Sequence, residues 1–167
     1  MPSEASALSE ERTTIMHETR TAAATTTTIP IPALAGLHHV GITVTNLERS
    51  VRWYGEMLGL VQVMEEFYPG GRVVVMIRPG TAVDIGLDSH ERNEGEPFAP
   101  HRTGLDHLAL SATTRAELDA WHAYLTAKGV ECSAIEDITE PLVFSLFSFK
   151  DPDGVALEIF YQEVQAS

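Results

Sequence analysis

The sequence predicts an α+β fold made of two paired βαβββ modules, and three observations predict it. Strand-like and helix-like segments run in the same order twice, over residues 37–90 and 104–163. His107 follows His39 by 68 residues, and Trp121 follows Trp53 by the same 68. The stretches around the two histidines also answer each other, Leu-His-His-Val-Gly-Ile against Leu-Asp-His-Leu-Ala-Leu. One internal duplication accounts for all three.

Taken in order, residues 37–44 read as the first strand. Thr45-Asn-Leu-Glu48 is a capping box, with Thr45 as the cap and Glu48 reaching back to its amide. Leu47, Val51, Tyr54 and Leu58 follow at helical spacing, and Gly59 suits the helix end. Strands are expected near residues 61–68, 72–78 and 81–88, with Gly70-Gly71 and Pro79-Gly80 as the turns. His90 is expected just past the strand, in a loop. A linker, residues 89–102, leads to the second module. There residues 104–112 read as a strand and Thr114-Arg-Ala-Glu117 as a second capping box. Leu118, Trp121 and Leu125 make a helical stripe that Gly129 ends. Strands near residues 131–135, 142–149 and 155–161 complete it, the last two joined by the turn sequence Asp151-Pro-Asp-Gly154.

Residues 1–35 stand apart. They are polar, then Thr- and Ala-rich, and they end in Pro30 and Pro32. Such a stretch buries too little apolar surface to offset its ordering entropy, so a disordered tail is expected there, with the folded domain at residues 36–163. Composition narrows the partners. A formal charge of -13 disfavours a phosphate backbone, so no nucleic-acid partner is expected. No apolar run is long enough to span a membrane, and no membrane partner is expected. Cys132 is the only cysteine, which suits the reducing cytoplasm.

Strand alternation then separates two faces in each module. Val40, Ile42 and Val44 point one way, and His39, Gly41 and Thr43 the other. In the repeat, Leu108 and Leu110 oppose His107, Ala109 and Ser111. Each module thus has a bulky face for a helix to cover and an opposite face carrying one histidine among small residues. The last strand repeats the logic, with Val155, Leu157 and Ile159 against Ala156, Glu158 and Phe160. Burying Glu158 unpaired would cost about 2–5 kcal/mol, and its strand holds no Arg or Lys. A divalent metal held by His39, His107 and Glu158 meets that need.

These segments, together with Asp-Pro-Asp-Gly-Val-Ala-Leu-Glu-Ile, make residues 37–161 resemble the vicinal-oxygen-chelate superfamily. It comprises glyoxalases, extradiol dioxygenases, epimerases and antibiotic-resistance proteins. The resemblance implies that the modules close into a cup-shaped mixed sheet around a divalent ion, Fe, Mn, Zn or Ni. It also implies His39, His107 and Glu158 as the ligands and a homodimer as the assembly. A fourth family position falls within residues 81–90. By parity Asp84, Gly86 and Asp88 share the relevant face, and either Asp84 or Gly86 stands at that position.

The chemistry so implied is a small-molecule substrate chelating the metal through adjacent oxygens. The metal acts as Lewis acid in glyoxalase-like isomerase or lyase chemistry, with Glu158 or Asp84 moving protons. Two histidines and one carboxylate also suit Fe(II) and oxygen, the extradiol alternative. Extradiol enzymes, however, carry a His and a Tyr shortly before the last motif. Here Ser148 stands at the Tyr position, and no His follows His122. A metal-independent drug-binding resistance protein is the remaining alternative, its cup lined by Trp53, Trp121, Phe144, Phe147 and Phe149.

Overall fold

The computed structural model describes residues 30–163. The expectation of a disordered tail falls mostly on residues 1–29, outside the described residues. In the unit that begins at Gly36, module one comprises β1 (Val40–Thr43), α1 (Leu47–Leu58), β2 (Val61–Tyr68), β3 (Gly71–Ile77) and β4 (Asp84–His90). Module two comprises β5 (Leu108–Ser111), α2 (Arg115–Ala127), β6 (Glu136–Ile138), β7 (Phe144–Lys150) and β8 (Ala156–Gln162). They form two four-stranded sheets, ordered β1-β4-β3-β2 and β5-β8-β7-β6. In each, the first strand pairs in parallel with the last, and the remaining pairs are antiparallel. The predicted βαβββ repeat is therefore present.

Several boundaries differ from the sequence reading, each for a physical reason. The cap of α1 is Asn46, whose side chain accepts from Arg49 N at 2.9 Å, and the capping box expected from Thr45 and Glu48 does not form. Thr45 donates its hydroxyl to Asp153, and Glu48 pairs with Arg72. Both are charge-assisted contacts, stronger than a neutral cap. The equivalent box on α2 does form, between Thr114 and Glu117. The last strand of module one starts at Asp84 rather than residue 81, because Thr81 closes the preceding turn onto the Arg78 carbonyl. It then runs through His90, which belongs to the strand and not to a loop. Residues 131–135 make only a single bridge, Cys132 to Phe149, and the edge strand forms at Glu136–Ile138 instead.

The bulky faces of both sheets enter one core. Ile42, Val74, Met76, Ile85 and Leu87 come from module one, and Phe147, Phe149, Val155, Leu157 and Ile159 from module two. Tyr54 and Leu58 of α1 and Leu118 and Leu125 of α2 pack among them. Module one is also pinned to the Asp151–Gly154 turn of module two. Tyr54, fully buried, donates its phenol to Asp151 Oδ2 at 3.1 Å. Asp153 accepts from Arg49 and Thr45. In the other direction, Arg78 donates to the carbonyl of Leu58 and lies 4.8 Å over the Trp121 ring. Among the described residues no helix is long and apolar enough to cross a membrane.

Candidate metal centre

The strand ladders set the relation between the two half-sites. Gly41 pairs with Gly86 in module one as Ala109 pairs with Glu158 in module two. The flanking pairs match as well, Val40 with Ile85 against Leu108 with Leu157. Gly86 is therefore the repeat counterpart of Glu158, and Asp84 is the counterpart of Ala156, since Ile77–Asp84 matches Lys150–Ala156. Module one thus lacks the carboxylate that module two carries. Parity had left Asp84 and Gly86 open, and register separates them.

In module two, His107 lies one residue before β5 and Glu158 in the middle of β8. His107 Nε2 and Glu158 Oε2 face each other at 3.6 Å, just beyond hydrogen-bond reach. His107 Nδ1 lies 2.9 Å from Asp106 Oδ1. With Nδ1–H donating to Asp106, the Nε2 lone pair is free. The hydrogen bond to Asp106, aided by the negative charges of Glu158 and Asp106, raises the imidazole above its ordinary 6.5. Ser148 stands across from Glu158 on β7 and contributes neither His nor Tyr.

In module one, His39 lies one residue before β1, and its Nδ1 is 3.0 Å from Nδ1 of His38. Sequence alternation sets these two on opposite faces, and both lie just ahead of the first residue of β1. Asp84 Oδ1 is buried without a hydrogen-bond partner among the described residues, while Oδ2 is 4.0 Å from His38 Nδ1. Sequence reasoning singled out neither Asp106, adjacent to His107, nor Tyr68, whose phenol donates to Asp88 Oδ1 at 3.2 Å.

The chain brings together two of the three expected ligands. Among the described residues no group of three His, Cys, Asp or Glu side chains forms a metal-sized cluster, so His39 does not join His107 and Glu158 within one chain. The cause is the shared core. Both sheets turn their bulky faces inward, and Gly41, Thr43, Ala109 and Ser111 are left exposed on the faces that carry the histidines.

Among the described residues no full ligand set forms, and His107 with Glu158 is the pair spaced as two ligands of one divalent ion would be. Two ligands about 2.1 Å from one tetrahedral ion stand roughly 3.4 Å apart. The His107–Glu158 separation of 3.6 Å is close to that span. A ligand imidazole whose other nitrogen is held by a carboxylate is the usual supporting arrangement.

Comparison with known proteins follows the same lines. The family described as Glyoxalase/Bleomycin resistance protein/Dioxygenase superfamily matches residues 36–159. The chain belongs to this superfamily. Its members typically use divalent metals. The chain is 33% identical over 133 residues to the uncharacterized protein YwkD of Bacillus subtilis, covering 77% of this chain and 98% of YwkD. It is 26% identical over 127 residues to the putative ring-cleaving dioxygenase MhqA of Bacillus subtilis, covering 74% of this chain but only 39% of MhqA. Among solved structures, the glyoxylase/bleomycin resistance protein/dioxygenase domain from Frankia sp. EAN1pec superposes with a TM-score of 0.71 at 28% identity. That match covers 78% of this chain and 100% of the Frankia chain.

Proposed function

We propose that this superfamily member is a cytoplasmic, divalent-metal-dependent enzyme acting on a small substrate with adjacent oxygens, by glyoxalase-like isomerase or lyase chemistry. The working unit is a homodimer in which His39 of one copy completes the His107–Glu158 pair of the other. One observation carries the reading. His107 Nε2 and Glu158 Oε2 stand 3.6 Å apart, close to the span of two ligands on one ion, while their repeat partner His39 is exposed and not clustered with them among the described residues.

A second copy would also cover apolar surface that the single chain leaves open. The edge strand β2 exposes Val61, Val63, Met64 and Phe67, the last at 73%. Long apolar edge strands are ordinarily paired or covered. Under this reading His39, His107 and Glu158 hold the ion, and Asp106 fixes the His107 tautomer. The ion, when bound, supplies Lewis-acid stabilisation of an enolate or alkoxide oxygen. Glu158 and Asp84 are the carboxylates that would hold or move a proton. The likeness to MhqA supports Fe(II) ring cleavage as a second reading, since two histidines and a carboxylate suit that chemistry.

Subunit complementation tests the proposal. His39→Ala and His107→Ala proteins, each pure, should bind little metal. Mixed and refolded together they should regain it, because one site of each mixed pair then has all its ligands. No regain on mixing, with both variants folded, would show that one chain assembles the site or that these residues do not bind metal. Equal affinity of metal-loaded and metal-stripped protein for acetohydroxamic acid would return the chain to the drug-binding class. Ring cleavage of a catechol with oxygen uptake by the Fe(II) form would select the dioxygenase.

A further inference from the structure

The repeat breaks at the end of β7. Ile77 pairs with Asp84 in module one as Lys150 pairs with Ala156 in module two, so Lys150 is the counterpart of Ile77 and Asp151 that of Arg78. Trp121 is the counterpart of Trp53, 68 residues on. Beside Trp121 the groove is filled from within the chain. Arg78 lies 4.8 Å over that ring and donates to the Leu58 carbonyl. Beside Trp53 the matching residue, Asp151, does not take that part. It turns inward, where its two oxygens accept the amides of Asp153 and Val155 and the phenol of Tyr54. Among the described residues no cation lies over the Trp53 ring.

What remains beside Trp53 is a cleft of about 700 Å³, with Met57 and Val130 also on its wall. That volume is in the range of small-molecule sites. The indole is held in place. It meets Tyr54 edge-on at 5.1 Å and stacks on the buried Phe149 at 6.4 Å. Trp53 is nonetheless only half-buried, so part of its ring is open to a ligand. None of His39, His107 and Glu158 lines this cleft.

Charge gives the cleft its character. The chain has two lysines, Lys128 and Lys150, and both line it. In a chain of formal charge -13 most cations are already claimed by carboxylates, as Arg49, Arg72, Arg102 and Arg115 are. Neither lysine has a carboxylate within ion-pair distance among the described residues. Lys128 Nζ lies 5.7 Å from the Tyr124 ring, a contact that leaves N–H groups free for an acceptor. Of the two carboxylates on the wall, that of Asp151 is taken up by its own donors, which leaves Glu131. Two ammonium groups against one carboxylate leave a single positive charge.

We infer that this cleft is a second ligand site, independent of any metal, for a small planar aromatic molecule carrying one carboxylate. The ring lies beside Trp53, in the place that the planar guanidinium of Arg78 takes beside Trp121. The carboxylate accepts from Lys128 and Lys150. Aromatic contact supplies the affinity that the two exposed ammonium groups alone would not, and the ammonium groups select an anion over its neutral analogue.

The test uses the full chain, stripped of metal with EDTA, and cinnamate as the probe, with cinnamamide as its uncharged counterpart. Calorimetric titration should show one cinnamate bound per chain. Cinnamamide should bind about tenfold more weakly, and Lys128→Gln and Lys150→Gln should each weaken cinnamate by about two- to fivefold, as loss of one exposed ion pair would, without changing cinnamamide. Both lysines are exposed, so the two variants should keep the wild-type circular dichroism melt. Of the two tryptophan indole N–H resonances in the proton NMR spectrum, the one absent from Trp53→Phe should shift on adding cinnamate, and that of Trp121 should not. Equal affinity for cinnamate and cinnamamide, unchanged cinnamate affinity in both lysine variants, a shift of the Trp121 resonance instead, or no saturable binding at millimolar cinnamate would each overturn the inference.

Discussion

Tyr54→Phe should destabilise the protein far more than loss of a single hydroxyl usually does, and Asp151→Asn far less than removal of a buried charge usually does. The Tyr54 phenol and the Asp151 carboxylate are both buried, and join α1 to the β7–β8 turn. Asp151 Oδ1 already accepts the amides of Asp153 and Val155, each at 2.8 Å, so Oδ2 has Tyr54 as its donor. Without the phenol, Oδ2 is left unpaired in the interior. Hydrogen bonds to charged groups contribute about 1.5–3 kcal/mol, so a loss of about 2–3 kcal/mol is expected for Tyr54→Phe. That corresponds to a fall of about 5–10 °C in Tm for a chain of this size. Asparagine keeps an oxygen for the two amides and offers an NH2 group to the phenol oxygen, while removing the charge. Burial raises the Asp151 carboxyl above its ordinary 3.8, so the folded state favours its protonated form. The stability linked to this group is fully present below the unfolded pKa and is lost as pH rises through the folded one. Asp151→Asn, which does not titrate, should therefore lie within about 1 kcal/mol of wild type and gain on it between pH 4 and pH 7. Urea unfolding at both pH values, at one fixed protein concentration, measures each quantity. If Asp151→Asn costs as much as Tyr54→Phe at pH 7, the charge itself holds the joint and the reasoning is wrong.

Two further outcomes follow from other contacts. Asp106→Ala removes the acceptor that holds His107 Nδ1–H and should weaken metal binding by about 10- to 100-fold. Because Asp106 raises the His107 pKa, wild-type affinity should fall as pH drops through a value above 6.5, and that midpoint should move down in the variant, both read by metal titration between pH 5.5 and pH 8. Arg78→Ala takes away the donor to the Leu58 carbonyl and the cation over Trp121, and should cost about 1–2 kcal/mol in urea unfolding; unchanged stability would show that this bridge between the modules contributes nothing.

Much of the fold was legible because its signals are local. Helical spacing and Gly59 fixed α1, the period-two pattern fixed the buried faces of β1 and β8, and two glycines marked the β2–β3 turn. What failed depended on partners distant in sequence. Thr45 and Glu48 have the right spacing for a capping box, but Asp153 and Arg72 recruit them across the fold. Residues 131–135 read as a strand, yet beside β7 they make only the Cys132 bridge and the bonds of Ser133 to Ser148, and ladder pairing resumes at Glu136. Parity placed Asp84, Gly86 and Asp88 on one face but could not rank them. Only the pairing of β1 with β4 identifies Gly86 as the counterpart of Glu158. Tyr68 carried no sequence signal at all, since its hydrogen bond to Asp88 spans 20 residues.

The two histidines and Glu158 were legible as candidates, and their arrangement was not, for a reason that belongs to the duplication. Alternation along a strand states which face a histidine occupies, but not which sheet that face meets. Here the bulky faces meet each other inside one chain, so each small-residue face is left outward with an incomplete donor set. Module two retains His107 and Glu158, whereas module one has His39 and, at the matching carboxylate position, Gly86. If both halves had to work alone, that loss would be disabling. In a two-fold pair each composite site draws one half from each copy, so two identical chains make two identical sites from one complete and one reduced half. Under the proposed pairing a carboxylate missing from module one is no defect, because each site would receive Glu158 from the other copy. The same asymmetry leaves room above Gly41 and Gly86, where Asp88 Oδ2 stands 3.4 Å and 3.7 Å from the positions a Cβ would take.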